Sequence, residues 1–249
     1  VLRMRGSRGK RQGGWKVTIR DILVHVPATG ETGPAIDLAA ELARRLGARL
    51  SALYTIRRLL VMTALFGDRS PVFKDAARQE YARAQRVEQE LRNRLGAGGL
   101  AVGWQVGEGD AAALVCRAGR LHDLVVVAQS SPASDEIGFD VPERAVYHSG
   151  CPTLIVPRES PVISIAEHVA VFWDGRRETA LAIRSALPIL SSARRVIVIA
   201  VPETVSPDIL KPAPVDILAH LSGHGIRAEL EHIDPERSRG AGTVFDSAA

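Results

Sequence analysis

Asp21-Ile-Leu-Val-His-Val26 is a six-residue run dominated by β-branched and aliphatic side chains, with no alternating polar face. Such a run reads as a strand buried on both sides, as in a parallel sheet covered by helices. A polar turn follows at Thr29–Thr32. Over Pro34–Leu46 the apolar residues Ile36, Leu38, Ala39, Ala40, Leu42, Ala43 and Leu46 then recur at helical spacing. Pro34 suits the first turn of that helix, and Gly47 suits the position just past its end. Arg49–Ile56 is the next strand, so the chain opens with the strand–helix–strand unit of a right-handed crossover.

The alternation continues outward from there. Residues 57–70 read as a loop, and Pro71–Leu95 as a long charged helix whose Arg/Glu neighbours form a solvated face. Leu100–Val106 is a third strand, and Asp110 stands where it would cap a helix over 111–119. Asp123–Ala128 is a fourth strand. A helix ending near Tyr147 and His148 leads to a fifth, Pro152–Val156. Five strands alternating with helices predict an α/β fold with a doubly wound, Rossmann-like parallel sheet.

The pattern then restarts. His168-Val-Ala-Val-Phe-Trp173 repeats the opening strand at a period of 147 residues, Ile22 to Val169. A helix over Glu178–Leu190 with Pro188 marking its end, a strand over Arg195–Val201, a helix over Val215–Leu221 and a strand over Ile226–Ile233 follow. This is an internal duplication, complete in the first copy and partial in the second. The last stretch, Asp234–Ala249, is rich in Gly, Ser and Arg. The expected organisation is a basic leader (1–16), a first domain (17–157), a linker (158–167) and an incomplete second domain (168–249) whose core lacks part of its cover.

Composition narrows the function classes. With 46% apolar and 24% charged residues the chain can build a core, which excludes disorder as its main state. The longest apolar run, Leu59–Phe66, is far too short to span a bilayer. Cys116 and Cys151 are two isolated cysteines, which gives neither a disulfide framework nor a zinc ribbon and fits a reducing, cytoplasmic setting. The leader carries +6 of a formal total of +4, so the remaining residues hold −2. The basic character belongs to the leader, and nucleic acid is not an expected partner of the body.

Several stretches together carry a family resemblance. Ile22-Leu-Val-His-Val26 with Asp37-Leu-Ala-Ala-Glu-Leu-Ala43, and Val141-Pro-Glu-Arg-Ala-Val-Tyr-His-Ser-Gly-Cys-Pro-Thr-Leu-Ile-Val156, resemble the opening and closing elements of the universal stress proteins. Val169-Ala-Val-Phe-Trp-Asp-Gly-Arg-Arg-Glu-Thr-Ala180 resembles the start of a second unit, as in the tandem bacterial type. The resemblance implies the adenine nucleotide alpha hydrolase-like variant of the fold. It also implies a stress-response role through dimerisation and partner binding, without catalysis.

Nucleotide-binding members of that family carry an Asp at the end of the first strand and a Gly-x2-Gly-x9-Gly-Ser/Thr loop after the fourth. Glycines there let backbone N–H groups approach phosphates. The first unit departs from this pattern. Pro27 stands in the place of the Asp, and the loop from Gln129, Ser130 and Ser131 to Asp140 holds a single glycine, Gly138, among the acids Asp135, Glu136 and Asp140. The second unit keeps Asp174-Gly175, which the resemblance makes a ribose-contacting pair, although an Asp-Gly turn also occurs with no ligand at all. Residues 129–131 and 174–175 are thus the candidate binding positions. No cofactor is expected, with ATP as the alternative.

Other motifs are weighed as structural. Gly107-x-Gly109 is a fragment of a dinucleotide fingerprint in a helix-opening turn. His220, His224 and His232 have spacing that can hold zinc, but Gly223 and Gly225 end the helix early. Cys116 reads as a small core residue, and His148 is the one candidate partner for Cys151. The resemblance implies a final strand that pairs across a two-fold axis or with the sister unit; with no matching sister strand its edge is open, so Pro152, Thr153, Leu154, Ile155 and Val156 are expected to pair with a second copy in a homodimer.

Overall fold

The computed structural model describes residues 18–29, 33–56, 71–130, 141–158, 166–200 and 216–232. The leader, the loop at 57–70, most of the linker, Ser131–Asp140 and the stretch from Ile233 onward lie outside the described residues. The first unit runs β1 (Asp21–Val26), α1 (Pro34–Leu46), β2 (Arg49–Ile56), α2 (Pro71–Gly96), β3 (Val102–Glu108), α3 (Ala111–Gly119), β4 (Leu124–Ala128), α4 (Val141–His148) and β5 (Thr153–Val156). The second runs β6 (His168–Trp173), α5 (Arg177–Leu190), β7 (Arg195–Ala200), α6 (Ile217–Gly223) and β8 (Ala228–His232).

The first sheet has the order β3-β2-β1-β4-β5, with every pair parallel. The fold is therefore the expected doubly wound α/β sheet, centred on β1. Alternation along β1 feeds two cores. Ile22, Val24 and Val26 join Ala39 and Leu42 of α1 and Leu91 of α2. On the other face Leu23 joins Leu53, Val125, Val127, Val115, Ala145 and Cys151. Burial on both faces removes the polar alternation of a half-exposed strand, which is why the run at 21–26 carries none.

Local signals set the helix ends. Pro34 occupies the first turn of α1, and Gly47 closes it with φ 63°, a left-handed conformation in which a side chain would be strained. Asp110 caps α3, its Oδ1 accepting the N–H groups of Ala112 and Ala113 at 2.9 and 3.3 Å. At the amino ends of the strands, Asp123 Oδ2 accepts the N–H groups of Arg20 and Asp21. The Arg49 guanidinium grips the Asp21 carboxylate beside them, with Nη2 2.7 Å from Oδ2.

The second sheet has the order β6-β7-β8, again parallel. Its core gathers Val171, Ile183, Leu187, Leu190, Val196, Val198, Ile217, Leu221 and Ile226. Among the described residues β6 pairs only with β7, whereas its counterpart β1 pairs on both sides. Most of β6 is accordingly exposed or half-buried, with only Val171 fully inside.

Helix α5 ends at Leu190, where the sequence places its end, two residues past Pro188. Proline this close to a helix end forfeits a single backbone bond, and burial of Leu187 and Leu190 on the sheet holds the last turn in place. The Ser191 N–H then closes the helix on the Leu187 carbonyl at 2.9 Å. Helix α6 lies two residues later than the 215–221 expected, because Asp216 caps it by accepting the Ala219 N–H.

Candidate functional site at the strand carboxyl ends

In a doubly wound sheet the crevice for a ligand opens where the strand order reverses, outside the carboxyl ends of the central strands. In the first unit that place lies between β1 and β4. The β1 end is Val26-Pro27-Ala28, and Pro27 offers neither a carboxylate nor an N–H. The Ala28 carbonyl is taken by the Tyr54 hydroxyl at 2.9 Å. Across the crevice, Gln129 extends the β4–β5 ladder: its N–H donates to the Val156 carbonyl at 2.8 Å. Its own carbonyl accepts Arg158 Nε at 2.7 Å. The backbone of Gln129 is thus committed within the fold and presents no free N–H to an anion. Ser130 is half-buried beside it, and Ser131 lies outside the described residues.

One polar pair at this level carries no motif in the sequence. His25 Nε2 lies 2.9 Å from Thr55 Oγ1, joining the ends of β1 and β2 on the face that α3 and α4 cover. Burial pushes the imidazole down to about 4, so it is neutral at neutral pH. The only signal available beforehand was a titratable residue inside an otherwise aliphatic buried strand.

In the second unit β6 delivers Asp174 and Gly175 to the corresponding position. Gly175 has φ 77°, a conformation that suits glycine and turns the chain sharply into α5. Asp174 Oδ1 accepts the Arg176 N–H at 3.0 Å and the Thr179 hydroxyl at 2.7 Å. The Arg176 N–H and then the Thr179 hydroxyl hold the carboxyl below its usual range. Oδ2 has Arg176 Nε 3.7 Å away, and the side chain keeps about a third of its surface in water (32%). One carboxylate oxygen therefore organises the turn while the other remains reachable.

The structure separates the remaining candidates. Cys116 is buried, with its thiol donating to the Arg144 carbonyl at 3.2 Å. The Cys151 thiol donates to the His122 carbonyl at 3.1 Å rather than to His148. Burial pushes Cys151 up to about 11, the reverse of what a nucleophile needs. His220 and His224 meet edge to face, ring centres 4.9 Å apart. Among the described residues no group of three or more His, Cys, Asp or Glu is placed to hold a metal ion. No helix among them is long and apolar enough to cross a membrane.

A family model described as the universal stress protein family matches residues 18–157. No match was found among curated proteins. Of the solved structures, a universal stress protein from Archaeoglobus fulgidus aligns over 91% of this chain and 82% of its own, at TM-score 0.64 and 17% identity. UspA from Lactobacillus plantarum aligns over 57% of this chain and 99% of its own, at TM-score 0.46 and 16% identity. A universal stress family protein from Arabidopsis thaliana with AMP bound aligns over 57% and 93%, at TM-score 0.40 and 16% identity. At such identities the likeness concerns the fold, and the Archaeoglobus protein extends it across both units.

Proposed function

From the premise that this chain belongs to the universal stress protein family, we propose that it acts in a cytoplasmic stress response by dimerisation and partner binding, without catalysis and without ATP in its first unit. The observation that carries the ATP part is the state of Gln129. Phosphate loops work by presenting unpaired N–H groups to an anion, and here the first residue after β4 spends its N–H on Val156. Pro27 supplies no carboxylate for a ribose. Dimerisation is supported by β5, which is an edge of the sheet among the described residues and exposes Ile155.

A second reading is favoured by Asp174. Its accessible Oδ2, beside the Gly175 turn, suits a ribose hydroxyl, which would make the second unit an adenine-nucleotide sensor. Native mass spectrometry of the whole chain, with and without ATP and magnesium, separates the two. A dimer without adduct supports partner binding. A retained nucleotide that Asp174→Ala abolishes supports the sensor.

A further inference from the structure

Helix α5 has two apolar sides. Ile183, Leu187 and Leu190 form the stripe that packs on its own sheet, in the core of the second unit. Ile189 lies about 120° round the helix axis from that stripe at 100° per residue. It is not part of the second core: it is half-buried against the core cluster of the first unit, the one built on Ile22, Val24 and Leu91. The residue before it is Pro188, inside the helix. Proline removes the bond its N–H would make to the Arg184 carbonyl and loosens the helix at that turn. The only turn of α5 with a weakened ladder is therefore the one that reaches the other unit.

We propose that the last turn of α5 is a docking element, with Ile189 as its knob, that couples opening of the second unit to the integrity of the first. The occupant of this contact is the chain's own first unit. The second unit needs such support, because β6, the counterpart of the first unit's central strand β1, is an edge of its sheet among the described residues. The inference does not depend on either functional reading above.

Hydrogen exchange of the full chain, followed by mass spectrometry, tests this through peptides covering β7, whose Val198 and Ile199 are among the most buried residues of the second unit. Ile189→Asp should speed β7 exchange about tenfold, and Ile189→Ala about threefold. Leu181→Asp, on the exposed side of the same helix (51% accessible), should leave it unchanged. The decisive arm is a double-mutant cycle. Leu91→Ala loosens the first core from within; with Ile189 present, β7 exchange should rise in response, and in the Ile189→Ala background it should not. Equal responses in both backgrounds, or a Leu181→Asp effect as large as Ile189→Asp, would overturn the proposal. Should the Asp variant fail to fold, the Ala cycle decides alone.

Discussion

The Asp174 carboxylate and the Thr179 hydroxyl meet at 2.7 Å, tying the residue after β6 to the first turn of α5. The same Oδ1 holds the Arg176 N–H, so Asp174 is a structural anchor for a helix. A ligand at Asp174 would have to use Oδ2 or displace these bonds. Loss of binding on mutating Asp174 must therefore be read against loss of structure.

Thr179→Val provides that control. It removes a partner of Oδ1 without touching the carboxylate, so α5 should loosen while any nucleotide affinity persists or rises. Isothermal titration with AMP beside a thermal melt checks it. Affinity lost in Thr179→Val at an unchanged melting midpoint would contradict the anchor assignment.

The pH dependence of Asp174 has a fixed sign. Its folded carboxyl titrates below the usual value of 3.8. Its contribution to stability is full above the unfolded value and disappears as pH falls through the lower, folded one. The gap between wild type and Asp174→Ala in melting midpoint should therefore be constant at neutral pH and close in acid. A gap independent of pH into strong acid would exclude a charged anchor.

His25 acts at a higher pH. Its folded value is near 4 against an ordinary 6.5, so between those limits the unfolded chain binds the extra proton. Stability should fall as pH drops from about 6.5 to about 4, by up to roughly 3 kcal/mol at 1.36 kcal/mol per unit. Urea melts of wild type and His25→Gln across that range measure the difference, which should converge on acidification. Parallel curves would show that His25 is protonated without cost.

Asp110 joins two helices. It caps α3 and accepts Arg144 Nη1 of α4 at 2.6 Å. Burial raises its carboxyl, but the Arg144 guanidinium and the two helix N–H groups outweigh this and leave it lowered. Asp110→Ala should cost about 1–2 kcal/mol, the usual loss for a helix cap. Asp110→Asn, which keeps the cap acceptor, should cost less. Chemical denaturation at neutral pH distinguishes the two.

The edge strand gives the oligomer prediction. Ile155→Lys places a charge on the exposed side of β5, where Ile155 is 42% accessible. Sedimentation should show a dimer for wild type and a monomer for the variant, with the melting midpoint changed little. A wild-type monomer at micromolar concentration would remove β5 pairing from the proposal.

The sequence alone determined the succession of strands and helices in the first unit. The unbroken aliphatic run at 21–26, Pro34 before a helical stripe, Gly47 after it and Asp110 before α3 are local signals, and each was legible because its cause lies within a few residues. The second strand–helix series was legible for the same reason, since its signals are local too. Asp174-Gly175 could be placed at a strand end, and Pro27 could be recognised as a departure from the family pattern.

Tertiary structure decided what those residues are free to do. That Gln129 spends its N–H on Val156, that His25 meets Thr55 from another strand, and that Asp174 is occupied by Thr179 are facts of geometry between elements. Pro188 is held inside the last turn of α5 because burial of Leu187 and Leu190 outweighs one lost bond. Ile189 is an apolar residue near a helix end that no local pattern singles out. Periodicity records how far a side chain lies from its own helix stripe, and only the packed chain shows which core it enters.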